Sequence, residues 1–294
     1  SQSIFCRPVA WDTPHMTITV PVTDSPRERI AQPKRVLMCR PTYFTVSYRI
    51  NPWMFPENPT DQKLAEQQWQ SLYDAYATLG IDVELIDPLP GLPDMVYAAN
   101  GGFVLDGVAY GARFRHPERQ PEGPAYLEYL EKLGFSPRPA EQLNEGEGDF
   151  LLVGDVILAA SGFRSDEAAH AELADIFSRE VVSLRLTNPS FYHLDTALAV
   201  LDDSTIAYLP EAFDESSREE LERRFPDAIH ATADDAAVLG LNLFSDGRNV
   251  VMAEQAGALR REIESRGFQT LGVNLSELLL GGGGVKCCTL ELRS

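Results

Sequence analysis

The sequence predicts an α/β fold in which one domain is built from several similar ββαβ units. Predicted strands come in hairpin pairs, as in the runs FLLVGDVILAA and NLFSDGRNVVMAE, and a helical pattern and a further strand follow. This unit recurs at intervals of about 50 residues. No Ser/Gly-rich or charged linker interrupts the chain. A doubly wound parallel sheet is disfavoured, because its strands would alternate strictly with helices instead of forming hairpins.

Apolar periodicity and turn residues predict the elements of the first half of the chain in order. The continuous apolar run Arg35–Pro41 predicts a buried strand, and the residues that follow it alternate weakly up to position 50. Apolar residues at helical spacing predict a helix from Thr60 to Gly80, where glycine provides the C-cap. The remaining predictions are a strand at 81–87, a strand pair at 94–113 that turns at Gly101-Gly102, and a helix at 122–133.

The second half of the chain repeats the same cycle. Helices are predicted at 166–178, 216–225 and 255–267, and strands near 149–159, 180–186, 194–203, 204–210, 242–254, 268–275 and 285–292. Residues 1–34 are polar and show little periodicity. We therefore predict an N-terminal arm at 1–34, with one short strand at Met16–Val22, followed by a single domain at 35–294.

Composition restricts the partners of the protein. The chain has 294 residues, is 44% hydrophobic and carries a net charge of -19. Such an acidic surface repels nucleic acids and anionic membranes, so we expect a small-molecule substrate and neither of those partners. The four cysteines form no CxxC pair, no signal-peptide h-region opens the chain, and no apolar run is long enough to span a bilayer. We expect a cytoplasmic protein, and the oligomeric state stays open, with a homo-oligomer among the alternatives.

The stretch Gly281–Thr289, GGGGVKCCT, predicts a nucleophilic cysteine. A glycine run allows close approach of backbone and ligand, and a lysine beside a thiol favours the thiolate. The alternative is a glycine-rich turn that leads into a final strand, VKCCTLEL, with the cysteines as small hydrophobic residues. The run lacks the spacing of a phosphate-binding loop, and no three metal ligands occur at a recognisable spacing.

Three other stretches concentrate polar groups where a core would exclude them. Asn144–Asp149 alternates carboxylates with glycines before a buried strand, and Asp94–Asn100 borders a glycine turn. His193 and Asp195 open a predicted strand, where the period of two would place both side chains on one face. Each stretch alone also fits a structural role, as a solvated acidic turn or a histidine satisfied at a strand end.

Together these stretches resemble the guanidine-modifying enzyme superfamily of arginine deiminases, dimethylarginine dimethylaminohydrolases, amidinotransferases and dihydrolases. The resemblance covers about residue 35 to the C-terminus. It rests on PDMVYAAN (Pro93–Asn100), EGEGD (Glu145–Asp149), SGFRS (Ser161–Ser165), YHLDT (Tyr192–Thr196) and GGGGVKC (Gly281–Cys287). It implies the superfamily's five-bladed, pseudo-symmetric α/β propeller, the pentein fold, with ββαβ-type blades and a central active site.

The resemblance also implies roles for individual residues. Cys287 is the expected nucleophile, His193 the general acid and base, and Glu145 the carboxylate that orients the histidine, with Glu147 as a second choice. Cys288 is expected on the other side of the strand, in a structural position. The expected substrate-binding residues are Asp195 for the guanidinium nitrogens, Asp94 for the amino acid end, Arg119 and Arg164 for the carboxylate, and also Asn51, Tyr97 and Asn100.

The implied reaction needs no metal or organic cofactor. Cys287 attacks the guanidinium carbon, ammonia leaves, and water releases a ureido product such as citrulline from the covalent thiouronium. Deiminases and dimethylarginine hydrolases have an aspartate at the position of Asn100. An amide holds a neutral ureido group as well as a cation, so we expect an arginine dihydrolase that continues to ornithine. The alternatives are a dimethylarginine hydrolase or arginine deiminase that stops at citrulline, an amidinotransferase, and a non-catalytic binding protein such as the ribosome anti-association factor of this fold.

Overall fold

The computed structural model describes residues 28–294, and fifteen strands and eight α-helices lie in that part of the chain. The predicted short strand at Met16–Val22 lies outside the described residues. The strands are β1 (Arg35–Cys39), β2 (Asp82–Ile86), β3 (Gly102–Leu105), β4 (Val108–Gly111), β5 (Ser136–Arg138), β6 (Phe150–Val153), β7 (Val156–Ser161), β8 (Val181–Arg185), β9 (Leu198–Val200), β10 (Ile206–Tyr208), β11 (Ile229–His230), β12 (Phe244–Ser245), β13 (Asn249–Ala253), β14 (Gln269–Val273) and β15 (Leu290–Glu291). The helices are α1 (Gln62–Thr78), α2 (Glu122–Lys132), α3 (Ala168–Phe177), α4 (Leu194–Ala197), α5 (Glu215–Arg224), α6 (Ala233–Ala237), α7 (Gly257–Ser265) and α8 (Ser276–Leu279).

The strands form five three-stranded sheets of one design. In β3–β4–β5, β6–β7–β8, β9–β10–β11 and β12–β13–β14, an antiparallel hairpin is followed by a helix and a strand parallel to the hairpin's second strand. The fifth sheet joins the two ends of the described chain, because β15 pairs antiparallel with β1, and β1 pairs parallel with β2. The predicted α/β fold of five ββαβ-type units is confirmed.

The apolar cores link the sheets into a closed ring. Leu37 and Val104 belong to one cluster that joins the first sheet to β3–β4–β5, and Phe103 and Phe150 belong to the next. A large cluster continues from β6 to β13 and the helix α7, and a fourth returns from Val251 of β13 to the first sheet. Because burial of apolar surface is the main favourable term in folding, each interface between sheets holds two neighbours in the ring.

The loops that enter the first strand of each sheet form the scaffold for polar side chains. Asn100 precedes β3, Asp149 precedes β6, Asp195 precedes β9, Asn242 precedes β12 and Cys287 precedes β15. All five side chains are buried. Equivalent positions in a ring of similar units face a common region, so residues far apart in sequence come together there.

The predicted strand before Gly101-Gly102 is wrong. Residues 93–96 and 98–101 form 3₁₀ turns, so the hairpin in this region turns at Asp106 and Gly107 and not at Gly101-Gly102. Both Asp106 (φ 51°) and Gly107 (φ 74°) take the left-handed conformation that a tight two-residue hairpin turn needs. Residues 43–50 form no strand, since aromatic residues there pack on the core individually and not on a pleated face.

Both strands predicted to carry the candidate nucleophile and base start later than expected. His193 is extended but is followed by the one-turn helix α4, which Thr196 stabilises by donating its hydroxyl to the His193 carbonyl at 2.7 Å. His193 and Asp195 therefore do not share a strand face. Cys287 and Cys288 lie in a turn, in which the Cys288 N–H donates to the Gly284 carbonyl at 3.3 Å.

The described residues that precede β1 contact two neighbouring sheets, β9–β10–β11 through Asp202 and β12–β13–β14 through Asp246 and Phe268. The Gln32 N–H donates to the Asp246 carbonyl at 2.7 Å, and the Arg29 guanidinium packs on the Phe268 ring and pairs with Asp202. The division of the chain into an arm and a single domain stays a prediction. Within residues 28–294, no helix has the length and apolar character that crossing a membrane requires.

Candidate active site

The Cys287 thiol lies in a buried position between a carboxylate and an amide. Its Sγ donates to Asp195 Oδ2 at 3.4 Å and accepts from Asn242 Nδ2 at 3.2 Å. Burial, and secondly the Asp195 charge, raise the pKa of Cys287 well above its usual value. This raised pKa favours the protonated thiol, and a cation bound to Asp195 would favour its ionisation.

The predicted activation of the thiol by Lys286 is wrong. Lys286 Nζ pairs with Glu147 and, at 2.8 Å, with Glu291, while Arg293 contacts the other oxygen of Glu147 at 3.0 Å. Lys34 also contacts Glu291, at 3.0 Å, so three cations and two carboxylates form a partly buried ion-pair cluster that engages the Lys286 ammonium. Glu147, the second choice for the carboxylate beside His193, lies in this cluster and makes no hydrogen bond to the histidine.

Glu145 links the histidine to an arginine. Its Oε1 accepts from His193 Nε2 at 2.9 Å and from Arg164 Nη1 at 2.6 Å. Burial alone would raise the pKa of Glu145, but the Arg164 guanidinium and His193 hold it below its usual range. The ionised carboxylate fixes the orientation of the ring, and His193 Nδ1 has no hydrogen-bond partner in the described part of the chain. The Tyr192 ring packs against both Arg164 and His193, at 4.7 Å in each case.

Glycine at two positions of EGEGD allows the motif to reach the site. Gly146 has φ +58°, and a Cβ there would overlap the backbone of Gly102. A Cβ on Gly148 would overlap the amide of Asn100 and touch the His193 ring. The alternation of acid and glycine is therefore a steric requirement of two loops that cross closely.

Asp94 and Asn100 stand on the 3₁₀ turns before β3. Asp94 Oδ2 accepts from the Tyr48 hydroxyl at 2.7 Å, and burial raises the pKa of this carboxyl. The Asn100 amide has two partners: its Oδ1 accepts from Arg119 Nη1 at 2.9 Å, and its Nδ2 donates to the Glu145 carbonyl at 3.3 Å. Asn100 thus connects the two loops that carry the acidic groups.

Both predicted carboxylate-binding arginines are already paired with a glutamate. Arg119 binds Glu122 through two hydrogen bonds of 2.7 and 2.8 Å, and Arg164 binds Glu145. Burial raises the pKa of Glu122 to about 7, against the opposing charge of Arg119. The assignment of both arginines to a substrate carboxylate stays a prediction. Each guanidinium has further N–H groups that do not donate to its glutamate partner.

Asn51 and Tyr97 support the glycine run. Asn51 Nδ2 donates to the Gly281 carbonyl at 3.1 Å, and the Tyr97 hydroxyl donates to the Leu278 carbonyl at 2.6 Å. A Cβ on Gly283 would overlap the Tyr97 ring, so this glycine is required for close packing. Both side chains therefore hold the backbone of the segment that leads to Cys287.

Unpartnered polar atoms concentrate among the predicted site residues. Of the seven buried side-chain nitrogen or oxygen atoms without a hydrogen-bond partner in the described part of the chain, four belong to this site: Asp94 Oδ1, Glu145 Oε2, Asp195 Oδ1 and His193 Nδ1. Buried polar atoms are nearly always satisfied. Three free carboxylate oxygens fit a ligand with several cationic N–H donors, and a planar guanidinium has this character.

Sequence reasoning missed Asn242 and Tyr48. Asn242 lies in the apolar run AVLGLNLF, where a single buried amide is unusual, and it precedes the first strand of its unit as the other site residues do. A buried amide at this position in the repeating unit could therefore have identified Asn242 as a candidate site residue. Tyr48 lies in an irregular loop, and nothing in its surrounding sequence indicates its bond to Asp94.

The family model described as N,N dimethylarginine dimethylhydrolase, eukaryotic, matches residues 49–294. The chain belongs to this family. An N(G),N(G)-dimethylarginine dimethylaminohydrolase from Mycobacterium tuberculosis is 51% identical over 268 residues, which are 91% of this chain and 89% of the relative. The family of guanidine-modifying enzymes that the sequence motifs predicted is confirmed, and so is the enzyme class: the chain is a hydrolase of C–N bonds in linear amidines.

A second relative is a bifunctional arginine dihydrolase/ornithine cyclodeaminase from Synechocystis, 36% identical over 88% of this chain and 37% of the relative. A solved structure of its N-terminal domain, a Cys-to-Ser variant with substrate bound, has a TM-score of 0.85 and 34% identity and covers 89% of this chain and 98% of that domain. An Asn-to-Ser variant of the same domain was solved with a reaction intermediate covalently bound. These similarities support the five-bladed propeller and leave the choice between the two reactions to the site residues.

Proposed function

We propose that the chain is an arginine dihydrolase, which converts L-arginine to ornithine, carbon dioxide and two ammonia through covalent Cys287 intermediates. The observation that carries this proposal is the neutral amide of Asn100, held between Arg119 and the Glu145 loop. An amide there adds no charge to a site that already contains Asp94, Glu145 and Asp195. The site can therefore retain a neutral ureido group after the cationic guanidinium has reacted.

The first hydrolysis uses the carboxylates to hold the cation. The guanidinium binds Asp195 and Glu145, whose free oxygens accept its N–H groups, and the amino group of the substrate binds Asp94. The Cys287 thiolate attacks the guanidinium carbon, and the C–N bond to a terminal nitrogen breaks as His193 supplies the proton for ammonia. Water, deprotonated by His193, attacks the resulting thiouronium, and the C–S bond breaks to give citrulline.

The second hydrolysis repeats the same steps on the ureido carbon. Cys287 attacks, ammonia leaves with a proton from His193, and an S-carbamoyl intermediate forms. Water then breaks its C–S bond and releases a carbamic acid, which loses carbon dioxide to give ornithine. The same three residues serve both rounds, so the only additional requirement is that citrulline stays bound.

Dimethylarginine hydrolysis is the second candidate function. It is favoured by the 51% identity to the mycobacterial relative. The two functions differ in the amine that leaves, since dimethylarginine releases dimethylamine and arginine releases ammonia. Both use the same nucleophile and base, so the geometry around Cys287 and His193 is compatible with either.

A substrate comparison separates these functions. We expect kcat/KM for L-arginine to exceed that for asymmetric N,N-dimethylarginine by at least about tenfold, because two methyl groups remove N–H donors that the free carboxylate oxygens would accept. The measurement is amine release, with ammonia and dimethylamine quantified separately at matched substrate concentrations. Faster release of dimethylamine from dimethylarginine would assign the chain the second function.

The acid limb of the pH profile provides a further prediction. Burial raises the pKa of Asp195 to about 7, with the Cys287 thiol and Lys286 opposing the shift. Below this pH Asp195 is protonated and neutral, and it no longer pairs with a cation. We therefore expect kcat/KM for arginine to fall by up to about tenfold per pH unit below about pH 7. A profile that is flat from about pH 6 to pH 8 would contradict this assignment, and Asp195→Asn is the control that should lack this limb.

A further inference from the structure

Asn242 completes a ring of site residues that occupy equivalent positions in the five sheets. Its neighbours in this ring, Asn100, Asp149, Asp195 and Cys287, all belong to stretches that the proposed function uses. Asn242 alone comes from the sheet β12–β13–β14, which otherwise supplies no group to the reaction. Its side chain is buried.

The hydrogen bonds of Asn242 fix the orientation of its amide. Oδ1 accepts two backbone N–H groups, from Cys287 at 3.0 Å and from Gly284 at 3.1 Å. Nδ2 donates to the Asp195 carbonyl at 2.9 Å and to Cys287 Sγ at 3.2 Å. A flipped amide would set its NH₂ against two N–H donors, so the donor must face the sulfur.

We infer that Asn242 is a catalytic residue that stabilises the Cys287 thiolate through its Nδ2–H, in both rounds of hydrolysis. Sγ has two side-chain partners in the described residues, Asp195 and Asn242. The ionised Asp195 carboxylate only accepts, so its contact with Sγ stabilises the thiol. Once the thiol proton has left, Asn242 is the side chain that still has a favourable bond to the sulfur.

The second round of hydrolysis makes this donor most important. A cationic guanidinium near Asp195 helps to ionise the thiol in the first round, whereas a neutral ureido group gives no such help. A fixed N–H donor acts in both rounds, because its contribution does not depend on the charge of the substrate. The inference rests on Cys287 as the nucleophile of the proposed function, and it does not depend on whether the second round takes place.

Two substitutions of Asn242 separate catalysis from structure. Asn242→Asp retains the acceptor for the Cys287 and Gly284 N–H groups but removes the donor, and Asn242→Ala removes the donor without adding charge. We expect both to lower kcat by about 100-fold, as loss of one fixed donor to a reacting anion does. The dissociation constant for arginine, measured on a Cys287→Ser background, should change by less than about threefold.

The ionisation of Cys287 can be measured in the absence of substrate. The ultraviolet absorbance of the thiolate is followed during a pH titration, and the signal of the Cys287→Ser variant is subtracted. We expect the midpoint to rise by about one pH unit or more in both variants, with Asn274→Asp, an exposed substitution, as the unchanged control. Wild-type kcat and an unchanged midpoint in Asn242→Asp would show a structural role and overturn the inference. A shift in Asn242→Asp that is absent from folded Asn242→Ala would assign the effect to charge and also overturn it. Because the titration needs no substrate, its result can be interpreted even if the proposed dihydrolase reaction does not take place.

Discussion

Replacement of Cys287 by serine is expected to lower kcat for arginine by about 10⁴- to 10⁶-fold, the range seen when an essential nucleophile is removed. The hydroxyl is a far weaker nucleophile than the thiolate, and it can still donate to Asp195 as the thiol does now. Arginine should therefore continue to bind, because the carboxylate oxygens that hold it are unchanged. The measurements are kcat by ammonia release, arginine affinity by calorimetry, and intact mass for a covalent adduct.

Cys288 provides the matched control for this prediction. It is the next residue in the chain and is fully buried in an apolar cluster, whereas the hydrogen bonds to Asp195 and Asn242 are made by the Cys287 sulfur. Cys288→Ala should retain activity per folded molecule, with a modest loss of stability from the small cavity. If Cys287→Ser retained turnover within about tenfold, or if Cys288→Ala alone abolished it, Cys287 would not be the nucleophile.

Replacement of Asn100 by aspartate is expected to lower the rate of ornithine formation by about 100-fold while arginine is still consumed. The new carboxylate would pair with Arg119, whose Nη1–H now donates to the amide oxygen, and would lose the donor that meets the Glu145 carbonyl. The added negative charge favours a cation over a neutral ureido group, so citrulline should leave before the second attack. A buried site whose polar groups do not match a ligand commonly discriminates against that ligand by a factor of about 100 or more.

The measurement is the ratio of citrulline to ornithine as arginine is consumed. Asn274→Asp, the same chemical change at an exposed position, controls for effects of net charge and expression. Complete conversion of arginine to ornithine by Asn100→Asp would show that the amide has no part in the second hydrolysis. Loss of both products together would show that Asn100 serves the first step or the fold, and would equally remove the argument for a dihydrolase.

Repeating local patterns made the architecture predictable. Hairpin strands such as β6 and β7 carry apolar runs separated by a glycine-containing turn, and α1 ends at Thr78, two residues before Gly80. Apolar periodicity and helix-terminating residues therefore predict these elements. The closure of the ring by β15 and β1 was not predictable in this way. Pairing between the two ends of the described chain depends on the shape of all the intervening units, and the local sequence of β1 and β15 does not indicate it.

The residues that the structure brings together in the candidate site were predictable where they stand in a recognisable motif, and unpredictable where a single residue such as Asn242 lies outside any motif. Cys287, His193 and Glu145 stand in glycine-bearing or aromatic motifs whose order is informative. Lys286 was misassigned because proximity in sequence suggested a contact with the thiol, whereas its long side chain reaches Glu147 and Glu291. A side chain's partners depend on its direction, and a turn can send adjacent residues in opposite directions.

The stretch around His193 shows a further limit of periodicity. Alternation predicted a strand in which His193 and Asp195 share a face, and the structure has the one-turn helix α4 instead. The two groups still reach the site, His193 on Glu145 and Asp195 on Cys287. The residue types therefore indicated which side chains belong to the candidate site. The backbone conformation depends on the hydrogen bonds that Thr196 and Asp149 make to this turn.

The most direct test of the dihydrolase proposal is the stoichiometry of ammonia and ornithine released by the unmodified chain from excess L-arginine. Ammonia, citrulline and ornithine are quantified together over the time course. The proposal predicts two ammonia for each ornithine, with no citrulline that persists. One ammonia for each arginine consumed, with citrulline as the final product, would contradict it and would show that a neutral Asn100 does not retain the ureido intermediate.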